Sequence, residues 1–179
     1  MRRLLMVLVL VGCSGSVDSS MQKVWDRHIQ KTCNWVQADS EAKKYADREN
    51  AARETLRFLQ ETRSPFVVAM FLNLWGFHWC SEKVDFTSYP WVTVARRRGD
   101  CDDFQALWLA VVSEWGGETK PGILQTCSGK MHAFLLWYET PSKVYLFSNQ
   151  NLLGCGISGE EDVMLRAVYG DDTYGWFTY

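Results

Sequence analysis

The sequence predicts an α+β fold, helices first and an antiparallel sheet after them, on three observations. Residues 21–62 are rich in Glu, Lys, Arg, Ala and Gln and hold no Pro or Gly, a helix-forming composition. Past Cys101, the residues Phe104, Leu107, Trp108, Val111, Val112 and Trp115 recur at steps of three and four, which is one face of a helix. After Gly116-Gly117 the period shortens, and residues 122–127, 131–139 and 143–148 read as strands. A block of helices followed by a block of strands gives α+β rather than an alternating architecture.

Taken in order, the chain divides into residues 1–20, a signal and linker; 21–63, an N-terminal helical segment; and 64–179, the core. Met1-Arg2-Arg3 is a short basic start, residues 4–11 are an unbroken apolar run, and Gly12-Cys13-Ser14-Gly15-Ser16 is a small-residue junction, the form of an export signal. Eight apolar residues are too few to span a bilayer, which takes roughly 20. One or two exposed helices are expected over 21–62, with Tyr45, Ala52, Leu56 and Leu59 as an apolar stripe. Ser64-Pro65 reads as an N-cap with Pro at the first helical position, opening an apolar helix over 66–75 that Gly76 ends. Residues 77–94 are expected to be irregular and aromatic. Thr140-Pro141-Ser142 is the turn of a hairpin; residues 162–169 form a short helix and 174–179 a terminal strand.

With 47% hydrophobic residues, 14% aromatics and nine Trp, the composition is that of a globular domain with a large aromatic core. A formal charge of −2 gives no basic face for nucleic acid or for an anionic membrane surface. No CxxC occurs, and no His lies at ligand spacing from a second Cys, which argues against zinc.

The stretch Gly99-Asp100-Cys101-Asp102-Asp103-Phe104 places a thiol at a helix start. Gly99 permits a tight turn, Asp100 is a good N-cap, and Asp103 three residues later completes a capping-box-like exchange. A sulfur there feels the positive end of the helix dipole and unpaired N–H groups, both of which favour thiolate. His132, a polar ring inside the strand-like run Met131-His132-Ala133-Phe134, is the base such a thiol needs, and Ser148-Asn149 at the end of the next strand offers a group to orient the ring. His28 and His78 read as surface or core histidines, and Trp91, Trp108 and Trp115 as core, with Trp91 a candidate cleft wall.

The Gly-Asp-Cys-Asp-Asp-Phe run, Met-His-Ala-Phe and Phe147-Ser148-Asn149 together resemble the transglutaminase-like superfamily, papain-like in fold, with closest likeness to bacterial transglutaminase-like cysteine proteinases. Phe71-Leu72-Asn73, Trp79, Asp85 and Trp91 extend the resemblance, which covers residues 66 to the C-terminus. It implies a nucleophile helix packed on an antiparallel sheet, with Cys101 and His132 as nucleophile and base. The family's third member is Asp. Motif register puts Ser148 under it, and one residue of slippage puts Asn149 there; Asn149 is the preferred orienting group and Ser148 the alternative. In calcium-dependent relatives acidic residues beside the nucleophile bind the ion, which points to Asp100 and Asp102, with Asp85 as a further ligand. The chemistry itself requires no cofactor. These acids oppose thiolate formation, and Arg97 and Arg98 or calcium would offset them.

Leu10-Val11-Gly12-Cys13 resembles the lipobox of bacterial lipoproteins, which implies lipidation at Cys13 and a domain tethered at the periplasmic face of a bacterial membrane by its lipid alone. Export leaves Cys33, Cys80, Cys127 and Cys155 as an even set, for which Cys33–Cys80 and Cys127–Cys155 are the expected disulfides because each would join neighbouring segments. The sequence thus reads as an exported, lipid-anchored cysteine hydrolase, a peptidase or amidase acting on a protein or peptide of the cell envelope through a thioester. The alternative is an inactive envelope lipoprotein that uses the cleft to bind a peptide or protein partner.

Overall fold

The structure, a computed structural model, describes residues 34–81, 86–126, 130–170 and 173–178. The signal and linker, Cys13, His28, Cys33, Asp85 and Cys127 lie outside the described residues.

Helix α1, Trp35–Lys44, is opened by Asn34, whose side chain accepts a hydrogen bond from the Gln37 amide. A 3-10 turn at Ala46–Arg48 leads into α2, Glu49–Thr62. Ala52 and Leu59 are buried, and Tyr45 and Leu56 pack against the same cluster, so the apolar stripe faces the core. Arg63 ends α2 in the left-handed region at φ 49°. Ser64 caps α3, Pro65–Leu74, with Pro65 at its start and Gly76 turning the chain at φ 74°.

The stretch expected to be irregular contains regular structure. Strand β1, His78–Trp79, pairs in parallel with β2, Arg98–Gly99, and α4, Pro90–Arg96, lies between them. Val92, Thr93 and Val94 are poor helix formers, yet they and Trp91 are buried. Burial outweighs their propensity, and Pro90 supplies a pre-set first turn.

Helix α5, Cys101–Val112, begins at the thiol as expected. The chain then enters a five-stranded antiparallel sheet: β3, Glu118–Thr126; β4, Met131–Thr140; β5, Lys143–Ser148; β6, Asn151–Ile157; and β7, Thr173–Thr178. The spatial order is β6-β5-β4-β3-β7. Strand β3 starts at Glu118 rather than Gly122, and includes Pro121 where β4 is alongside but β7 has not yet begun, a tolerable place for a residue without an N–H. Strand β6 was not foreseen, because Gly154 and Gly156 disfavour strands. Gly156 instead leaves room for the next helix, α6, Glu161–Tyr169: a Cβ there would lie 2.7 Å from the Met164 sulfur.

Strand alternation buries the sheet on both faces. Leu135, Trp137, Tyr145 and Phe147 join Phe104, Leu107, Trp108 and Val111 of α5 in one cluster. Phe134, Leu136, Tyr138, Val144 and Leu146 join Leu165 of α6 in the other. The protein is therefore α+β, with the Cys101 helix and its neighbours on one face of an antiparallel sheet and α6 on the other. Among the described residues, no helix is long and apolar enough to cross a membrane.

Candidate active site

At the head of α5, Asp100 and Asp103 form a reciprocal capping box. The Asp100 amide donates to Asp103 Oδ2 at 3.2 Å. Gly99 makes this approach feasible, since a Cβ there would sit 2.6 Å from Asp103 Cβ. Asp103 also accepts from the Ser88 amide at 2.7 Å and from the Arg96 guanidinium, and Arg96 and Asp103 are 5% and 0% exposed. Burial pushes the Asp103 carboxyl up, with Arg96 and the two amides opposing it and Asp100 reinforcing it.

The cation at this helix head is thus Arg96, not Arg97 or Arg98. Arg97 turns the chain at φ 53° and lies 5.5 Å over the Trp75 ring, and Arg98 is exposed. Arg96 was missed because the turn that brings it back onto Asp103 depends on that left-handed Arg97.

His132 Nε2 lies 2.5 Å from Ser148 Oγ. The pairing of Leu135 with Phe147 puts the two side chains diagonally on one face of adjacent strands. Asn149, the preferred orienting residue, does not meet the ring. It follows the strand at φ 48°, and its main-chain oxygen accepts from Trp108 Nε1 at 2.8 Å. The pleat decides the matter: the residue that shares His132's face is Ser148, and its successor leaves the sheet.

The thiol and the imidazole lie at the same end of the sheet. Gln105, one helical turn or about 6 Å along α5 from Cys101, donates to the carbonyl oxygens of Gly122 and Phe134 at 2.9 and 2.6 Å. His132 lies two residues, about 6.6 Å, back along β4 from Phe134. Cys101 is half-buried, and strand alternation puts His132 and Ser148 on the α6 face rather than the α5 face, so the thiol and the imidazole would meet around the end of the sheet. Electrostatics agree: burial pushes the His132 imidazole down to about 4, with the Asp100 charge opposing. Tyr169, at the end of α6, has its ring centroid 5.3 Å from that of His132. Burial pushes its phenol up to about 12, Ser148 works against that rise, and the charge on Cys101 adds to it. Sequence reasoning missed Tyr169, which reaches the site from a different element and carries no local motif.

Oxygen atoms of Asp100, Asp102 and Asp103, all buried, lie within 4.8 Å of one another. Thr87 donates its hydroxyl to Asp102. Asp103 bonds Arg96 and two amides; the oxygen donors of Asp100 and Asp102 suit calcium in kind, although it takes six to eight ligands.

The expected disulfides are corrected. Cys80, Cys101 and Cys155 are in no disulfide, and Cys155 is exposed. Cys155 pairs with Tyr145, Tyr145 with Trp137, and Trp137 with Thr119. Thr126 therefore lies three strands across from Cys155 and well along β3, on the order of 20 Å away. Proximity in sequence did not anticipate that β3 and β6 would be separated by β4 and β5.

Trp91 and Trp108 are core residues at 7% and 1% exposure, Trp115 is half-buried, and His78 is exposed with Nδ1 3.1 Å from the Gly76 oxygen. Trp91 lines a concavity of about 400 Å³ with Arg53, Leu56, Tyr89 and Pro90. That concavity holds neither thiol nor imidazole.

Among solved structures, the chain is similar to Legionella pneumophila LapG at 12% identity over 73% of this chain and 97% of that one, with a TM-score of 0.44. The calcium-bound form of Legionella pneumophila LapG gives 13% identity and a TM-score of 0.41, and the EGTA-treated form 12% and 0.43, at the same coverage. No family model and no curated protein matches the chain.

Proposed function

We propose that this protein is a transglutaminase-like cysteine hydrolase, exported and lipid-anchored through Cys13 at the periplasmic face of a bacterial membrane, that cleaves an amide bond in a protein or peptide of the cell envelope. The observation that supports the reading is the His132–Ser148 hydrogen bond, together with the charge of Asp100, at the capped start of the cysteine's helix, that is felt at His132. With its pKa near 4, His132 is neutral at pH 7 and acts as a base. It takes the Cys101 proton as sulfur attacks the carbonyl carbon, and the Cys101 amide at the head of α5 donates to the developing oxyanion. His132 then returns the proton to the leaving amine, leaving a thioester. Water, deprotonated by the same ring, hydrolyses it. Calcium, held by Asp100 and Asp102, would supply positive charge that offsets the acids beside the thiol.

Purified full-length protein and its Cys101→Ala variant, incubated with an envelope protein mixture with and without calcium, test the activity. Cleavage products present with the native chain and absent with Cys101→Ala support it. Alkylation of Cys101 near neutral pH should outpace that of free cysteine. The neutral orienting group Ser148 favours one second reading, a cleft that binds a peptide without cutting it. Alkylation of Cys101 at the rate of free cysteine, together with no cleavage, would select that reading.

A further inference from the structure

A base that accepts the thiol proton through Nδ1 must carry its own proton on Nε2. A carboxylate partner enforces that tautomer because it can only accept. A serine does not: Ser148 can accept from Nε2–H, or it can donate to a bare Nε2 and leave the ring proton on Nδ1, the wrong place for catalysis. Something must therefore take the Ser148 proton.

The Tyr169 oxygen is buried with no hydrogen-bond partner among the described residues, and Ser148 is near enough to act on its phenol. Its place is fixed by the helix that carries it. Leu165 is fully buried, Tyr138 donates to Glu161 at 2.8 Å, and Trp176 donates to Asp162 at 3.1 Å. The ring packs on the imidazole itself. A phenol oxygen can accept while keeping its own proton, and this one stays protonated well above neutral pH.

We infer that Tyr169 is a positioning residue: its phenol oxygen accepts the Ser148 hydroxyl proton, so that Ser148 presents a lone pair to His132 Nε2–H and the two hydroxyls together stand in for a carboxylate. The chain of donation runs from His132 to Ser148 to Tyr169, and no bond is broken in it. Its catalytic consequence rests on the cysteine-hydrolase reading; its geometry does not.

The test is the His132 tautomer, read by ¹⁵N NMR of histidine-labelled full-length protein at pH 7, beside the alkylation rate of Cys101. The native chain should show the Nε2–H form. Tyr169→Phe, which keeps the ring packing, should show a mixture of tautomers and alkylate about tenfold more slowly. Adding Ser148→Asp to Tyr169→Phe should restore the Nε2–H form, since a carboxylate has no proton to dispose of; a merely structural tyrosine would show no such rescue. An Nδ1–H ring in the native chain overturns the inference without any variant, as does an unchanged tautomer in Tyr169→Phe. Native Cys101 reacting no faster than free cysteine would instead count against the hydrolase, leaving the tautomer comparison to decide on Tyr169.

Discussion

His132 shows what the burial of a single titratable ring costs in stability. Its folded pKa, about 4, lies below the ordinary 6.5, so between those values the unfolded chain binds a proton that the buried ring does not. Stability is complete above about pH 6.5 and falls as pH drops toward 4, by up to about 3 kcal/mol from this group alone. Urea unfolding at pH 7 and pH 4.5 should show the loss, and His132→Phe should remove that part of the pH dependence. At this scale Cys101 and His132 were legible, because a capping pattern and a polar ring in an apolar strand are local signals. Ser148 against Asn149 was not, since the choice turns on which way the pleat faces. Tyr169 was hidden altogether, as its contact with His132 joins residues far apart in the chain.

Among the elements, α5 is closely constrained at its head, where Gly99, Arg96 and the capping box meet Asp103. Gly99→Ala would drive a methyl group into Asp103, break the capping box and tilt the helix start. The expected cost is about 2 kcal/mol, seen as a lower Tm together with slower Cys101 alkylation. Arg96→Met removes the guanidinium from a fully buried Asp103 and should cost about 3–5 kcal/mol in urea unfolding. The helices at Pro65 and Cys101 were readable from their caps. Helix α4 and strand β6 were not, because Val-Thr-Val in a helix and Gly-Cys-Gly in a strand contradict their own propensities. Each is held by a neighbour: α4 by burial of Trp91 to Val94, β6 by Met164 filling the space its glycines leave.

Across the whole molecule, the sheet separates two chemistries of packing. One face is an aromatic core, in which Trp108 stacks on Phe147 at 4.2 Å and Trp137 on Tyr145 at 5.2 Å. Among the described residues, the helix that packs on the other is α6. The site lies at one end of the strands, within reach of both layers, which is why residues from α5, β4, β5 and α6 converge there. That helices precede an antiparallel sheet was evident from the change of hydrophobic period. The order of strands was not, since nothing local tells the last strand to pair with β3.

Cys155 lies in an outermost strand with its thiol open to solvent. Samples kept in air should therefore accumulate a covalent doublet, visible as a band of twice the mass on a non-reducing gel and abolished by Cys155→Ser. The same position offers a handle for attaching a fluorophore on the rim of the molecule once the sulfur at the helix head has been replaced, as in Cys101→Ala.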